Sequence, residues 1–217
     1  ILGLETLKMF EDAIERILIK EGVRKPTFED CKKWYMENLH PSVLDMNDPV
    51  VYEQVFHKGK FAGLFQFMNT GMQWLGSSAK VSSIEEIATV SAIFRPGPLS
   101  AGVDKMYVQA KEGSEDVEYD HPLIEDVLGK TYGLIVFQED IMNLVNTLGH
   151  KITMSDANVL RKLLTKKGLS ETKMKKKKDL YERFVKGCQD KGMSFADAKV
   201  LWGQMKYFSV YDFSKNQ

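Results

Sequence analysis

Apolar positions near the start of the chain recur at helical spacing. Leu4, Leu7, Ile14, Ile17 and Leu18 share one side of a 3.6-residue repeat, and Gly22 then supplies a stop. A second helix is predicted after Thr27, with Asp30 in the N3 position completing a capping box. Asp48 and Pro49 read as the N-cap and first turn of a helix running to about Gly59. Ser83 with Glu86 opens another, which Arg95-Pro96-Gly97-Pro98 should end near Phe94, because proline cannot continue an α-helix. Further helices are predicted from about Glu139 to Leu148, from Ser155, from near Ser170, and from Ser194, where Asp197 repeats the cap spacing. Two short apolar runs, Phe61 to Phe67 and Tyr132 to Phe137, read as strands or extended segments. The expected fold class is therefore mainly α, a multi-helix domain with one or two short β elements. No internal repeat is found, and the pattern suggests one domain.

Composition narrows the class by exclusion. With 217 residues, 43% hydrophobic, the chain can bury a core of its own and is too apolar to be disordered. No apolar run approaches the ~20 residues that a membrane-spanning helix needs. Cys31 and Cys188 lie too far apart in sequence for a disulfide framework or a cysteine zinc site. His40, His57, His121 and His150 are isolated and never fall at metal-ligand spacing. Glycine-rich phosphate loop, nucleophile elbow and Asp-x-Asp pair are all absent, so no metal site is expected in this chain. The start at Ile1, with no signal-like segment, reads as part of something longer.

Charge adds an asymmetry that the overall balance of 30 basic and 30 acidic residues conceals. From Arg161 onward there are 15 basic and 6 acidic residues; the preceding part has 15 and 24. A basic end on an acidic chain points to a polyanionic partner held by that end. On a helical wheel for the segment after Ser155, Val159, Leu160, Leu163 and Leu164 cluster on one side. Asn158, Arg161, Lys162, Thr165 and Lys166 fill an arc on the other, and Lys167 begins the exit. A planar guanidinium beside mobile lysine charges suits phosphate oxygens. The same face is also what any amphipathic helix shows to water. The run Lys175-Lys176-Lys177-Lys178 suits a nucleic-acid backbone, or simply a solvated lysine-rich helix. Arg95 sits at a Pro-Gly-Pro corner that either presents it to a ligand or is only a rigid turn.

Six segments in order resemble one family, the C-family replicative DNA polymerases: the bacterial DNA polymerase III alpha subunit and its phage relatives. They are Leu2-Gly3-Leu4-Glu5-Thr6-Leu7; Gly63-Leu64-Phe65-Gln66-Phe67 with Gly71-Met72; and Phe94-Arg95-Pro96-Gly97-Pro98-Leu99 with Gly102. Thr131 to Glu139, Leu160-Arg161-Lys162 with Lys166-Lys167, and Tyr211-Asp212-Phe213-Ser214-Lys215 complete the set.

The resemblance implies that residues 1–7 are the end of the palm and 8–217 the fingers domain. It implies a DNA-directed DNA polymerase in which Arg161, Lys162, Lys166 and Lys167 approach the incoming triphosphate. Lys215 and Gln217 would lie near the nucleotide, and Arg95 with Lys175 to Lys178 near DNA. Mg2+ is the implied cofactor. The implied partners are template-primer, deoxynucleoside triphosphate, the rest of the polymerase, the sliding clamp and other replisome proteins, in the cytoplasm of a bacterial or phage-infected cell. The family's third catalytic aspartate falls two residues before Leu2, outside this chain, so these residues alone are expected to be inactive. The family's terminal Phe-Asn-Lys-Ser-His is Phe213-Ser214-Lys215-Asn216-Gln217 here, and Asn158 and Lys162 stand for the usual Asp and Arg. Those departures leave open a second reading, a non-catalytic helical nucleic-acid-binding module derived from a polymerase.

Overall fold

A computed structural model of the chain describes residues 5–114, 116–166 and 168–209. Twelve α-helices carry nearly all the regular structure of these residues, which divide into two compact units, one up to Ile84 and one from Glu85 onward. Among the described residues no strand forms; Phe137 makes only an isolated bridge. The mainly α expectation holds, and the expected β elements do not appear.

The first unit begins with α1 (Glu5–Lys20) and α2 (Phe28–Asn38). Thr27 and Asp30 close the predicted capping box: the Thr27 hydroxyl accepts from Asp30 N at 3.3 Å and the carboxylate accepts from Thr27 N at 2.8 Å. Ile14, Leu18 and Cys31 pack with Val23, Trp34 and Leu39 beneath the two helices. The expected palm–fingers boundary at residues 7/8 falls within unbroken α1. Asp48 caps α3 (Pro49–Val51), which widens into a π-turn over Tyr52–Phe56. The run Phe61 to Phe67 is a chain of turns because Gly63 (φ +80°) and Gln66 (φ 66°) are left-handed. A strand needs φ near −120° at every residue, and this one is broken twice. Its aromatic character serves packing instead. Phe61 and Phe67 stack at 5.2 Å, edge-on to Phe56, against α4 (Thr70–Ser78), where a side chain at Gly76 would meet the Phe67 ring at 2.8 Å.

All but the first residue of α5 (Ile84–Ile93) belongs to the second unit. Arg95-Pro96-Gly97-Pro98 does end that helix, but it also starts the short α6 (Pro96–Ser100). Pro96 stands at N1 and Pro98 still lies in the first turn, where a missing N–H breaks no helical bond. Next come α7 (Val103–Glu112) and α8 (Pro122–Leu128). Tyr132 and Gly133 (φ 54° and 79°) turn the predicted second strand into a bend. Asp140 then accepts from Val136 N and Phe137 N, 3.0 and 2.8 Å, at the start of α9 (Gln138–Leu148). The helix expected from Ser155 is α10 (Met154–Thr165), capped two residues earlier by Thr153, whose hydroxyl accepts from Asp156 N at 3.1 Å. The last two helices, α11 (Glu171–Asp190) and α12 (Phe195–Phe208), begin where Ser170 and Ser194 predict. Leu144, Leu148, Leu160, Leu180, Phe184 and Met205 meet in the shared core of α8 to α12.

Candidate phosphate-binding site

The basic segment divides into cations that hold the second unit together and cations that do not. Arg183 belongs to the first kind. It donates to Asp156 at 3.4 Å, to Asp179 at 3.5 Å, and to the backbone oxygens of His150 and Lys151. Lys176 bonds Asp156 at 3.2 Å, so Asp156 both caps α10 and ties it to α11. Burial pushes the Asp156 carboxyl up, but hydrogen bonds from Lys176 and Thr153 outweigh it and hold the group below the usual carboxylate range.

Arg161 also bridges two helices, but through neutral groups alone. From the middle of α10 its Nη1 donates to Gln138 Oε1 at 2.6 Å and its Nη2 to Asn158 Oδ1 at 3.1 Å. Both acceptors are neutral amides, so the planar fork is oriented without its charge being cancelled. Its Nε is buried and unpartnered among the described residues. Beneath it, Ala157, Leu160, Leu163 and Leu164 are buried; Val159, expected with them, is 39% exposed. The apolar stripe is thus narrower than the wheel implies, and the polar arc correspondingly wider. Lys162 is exposed on that arc. Lys166 is also exposed but sits at the C-cap with extended backbone (φ −85°, ψ 130°), so the helical wheel no longer applies to it. Arg161, Lys162 and Lys166 therefore occupy the last turn and a half of one helix and its exit, where cations also complement the helix dipole. Lys167, Lys215 and Gln217 lie outside the described residues.

The four consecutive lysines do not form one cationic face. Lys175 is exposed, Lys176 is tied to Asp156, and Lys178 lies 3.8 Å from Glu182. Lys177 is half-buried and donates to Leu163 O at 3.3 Å. Arg95, half-buried, is the N-cap residue of α6. Two partners of the site, Gln138 and Asn158, were not legible as such. Asn158 stands one turn before Arg161, a spacing that hints at contact. Gln138 is 23 residues away, and no local pattern signals it.

Among the described residues, no helix is long and apolar enough to cross a membrane. The chain is an α-helical domain with an uncancelled guanidinium and neighbouring lysines at one helix end, groups whose chemistry suits phosphate oxygens. Comparison with known proteins gives its family. The family described as the bacterial DNA polymerase III alpha subunit finger domain matches residues 22–192. The chain is 34% identical over 215 residues to the DNA polymerase III subunit alpha of Campylobacter jejuni, 99% of this chain and 16% of that protein. Identity to the subunit alpha of Aquifex aeolicus is 35% over 99% of this chain and 17% of the relative. For Chlamydia pneumoniae it is 30% over 100% and 16%. The chain belongs to the finger-domain family of bacterial DNA polymerase III alpha subunits, and it spans about a sixth of the length of these relatives.

Proposed function

We propose that the chain serves as the fingers region of a DNA-directed DNA polymerase, gripping the triphosphate of the incoming deoxynucleotide and the template-primer during nucleotidyl transfer. The observation that carries this reading is the Arg161 guanidinium, held by Gln138 and Asn158 while keeping its charge. Phosphoryl transfer builds negative charge on the phosphate oxygens, and fixed donors aimed there lower the barrier without having to reorganise. Arg161 supplies the oriented fork, and Lys162 and Lys166 add mobile charge beside it. By family resemblance Lys167, Lys215 and Gln217 lie near the same nucleotide, and Arg95 and Lys175 to Lys178 near DNA.

Among the described residues no group of three or more His, Cys, Asp or Glu side chains is placed to hold a metal ion. By family resemblance, the Mg2+ ions of two-metal transfer are held by carboxylates carried elsewhere in the polymerase. The remaining partners of this reading are the rest of the polymerase, the sliding clamp and other replisome proteins. These 217 residues alone are expected not to extend a primer, and metal-dependent extension by the purified chain would show the missing carboxylates to be unnecessary. Equilibrium dialysis against dATP and deoxyadenosine tests the site itself. Binding should require the triphosphate and weaken as salt is raised. Equal retention of the two ligands would refute the proposal.

A further inference from the structure

The Arg161 fork depends on Gln138, which reaches it from the first turn of α9 at 2.6 Å. What fixes Gln138 in turn is the link from α8, residues 129–137, which ends in the buried run Ile135, Val136 and Phe137. The link opens with a 3-10 turn over Gly129–Thr131 and then passes through two left-handed residues, Tyr132 (φ 54°) and Gly133 (φ 79°). Gly133 takes such a backbone readily. A left-handed tyrosine is uncommon and persists only where its surroundings over-determine it. Strain of this kind, just ahead of a residue of the candidate site, calls for a restraint.

Thr131 supplies one. It is buried, and it holds both backbone polar groups of Leu134. Its carbonyl accepts from Leu134 N at 3.0 Å, and its hydroxyl donates to Leu134 O at 2.7 Å. The hydroxyl also lies 3.1 Å from Leu128 O, so its one proton is shared between carbonyls on either side of the turn. Tyr132 N and Gly133 N close back onto Gly129 O and Leu128 O at 3.2 and 3.0 Å. The Tyr132 ring meets the fully buried Tyr107 edge-on at 5.5 Å. Valine has the shape of threonine, so packing alone does not require a hydroxyl here, and a buried hydroxyl without partners would be costly. What the hydroxyl adds is a clamp across residues 131–134, little more than one helical turn of chain before Gln138.

We propose that Thr131 is a positioning residue for the phosphate grip: its hydroxyl, by closing the turn that carries Tyr132, sets the placement of Gln138 and through it the Arg161 fork. The inference rests on the reading of α10 as the triphosphate site. Thr131 touches no ligand in this scheme and acts only through Gln138. A fork displaced by a fraction of an ångström loses its alignment with phosphate oxygens, so a small shift in the link is enough to be felt.

Equilibrium dialysis of dATP against the 217-residue chain tests this in a double-mutant cycle. Thr131→Val should weaken dATP binding several-fold, and Thr131→Ser, which keeps the hydroxyl, should bind as wild type does. In the Gln138→Leu background Thr131→Val should cause no further loss of affinity, while its effect on Tm should be the same in both backgrounds. A residue that served the fold alone would lower affinity equally in both. Additive losses, or wild-type affinity in a folded Thr131→Val chain, would overturn the proposal; Thr131→Ala replaces the valine variant if that does not fold. NMR of the Arg161 side-chain N–H groups, recorded without ligand, separates this proposal from the nucleotide reading. Their resonances should move in Thr131→Val and in Gln138→Leu and stay in place in Thr131→Ser. Unmoved resonances in Thr131→Val would overturn the proposal. Moved resonances, with no dATP binding by wild type, would sink the α10 reading and leave Thr131 as the residue that orients Arg161.

Discussion

Replacing Gly187 by alanine sets two effects of opposite sign against each other. Gly187 lies inside α11, where alanine gains about 1 kcal/mol of helix propensity. An added Cβ, however, would lie 2.2 Å from His150 N, 2.3 Å from Leu148 O and 2.4 Å from Gly149 C. All three are backbone atoms of the end of α9 and the link that follows it, and none can rotate away. Relief requires α11 to retreat by about 1 Å, which forfeits a quarter to a half of the dispersion energy along that seam. The retreat also strains the bond from His150 N to Arg183 O, now 2.9 Å, and the Arg183 bonds to the same link. Overpacking of about 1–3 kcal/mol, plus about 1 kcal/mol for a disrupted hydrogen bond, outweighs the propensity gain by about 1–3 kcal/mol. For a domain of this size that lowers Tm by roughly 2–12 °C. Circular dichroism melting of the 217-residue chain is the assay. A Tm equal to or above wild type would mean that α11 does not seat against this link.

Three further outcomes follow from the same geometry. Gln138→Leu should leave Tm within about 2 °C of wild type, as a half-exposed change does, yet weaken dATP binding several-fold because the Arg161 fork loses its longest-range tether. Undiminished dATP affinity in that variant would remove Gln138 from the site. Asp156→Asn should cost about 0.5–2 kcal/mol through the damaged cap of α10, seen as an earlier urea midpoint. Because the Asp156 carboxyl is depressed when folded, its contribution is complete above the ordinary aspartate value of 3.8 and fades as pH falls through the lower folded value. Wild type should therefore lose Tm on acidification through that window more steeply than Asp156→Asn, and parallel curves would contradict this.

Much of the helical framework was legible because its signals are local. Thr27 with Asp30 and Ser194 with Asp197 specify their helix starts by hydrogen bonds spanning three residues, and both appear as expected. The misreadings have equally physical causes. Phe61 to Phe67 looks like a strand because its apolar aromatics suit one, but the backbone freedom of Gly63 and the left-handed Gln66 turn it into packing for Phe56 and Gly76. The Pro-Gly-Pro corner hid α6, since the residues that end one helix also fit the first turn of the next. At the site, the cationic arc of α10 could be read from periodicity. Which cations keep their charge could not, because Asp156 is shared between Lys176 and Arg183 on another helix, and Gln138 reaches Arg161 from α9.

The central claim is that Arg161 grips the phosphate tail of a deoxynucleotide, and calorimetric titration of dATP into wild type and Arg161→Ala measures it directly. Loss of one charge-assisted, oriented fork should weaken binding by about 1–3 kcal/mol, roughly 5- to 150-fold, with Tm little changed. Equal affinity in a folded Arg161→Ala chain would contradict the account.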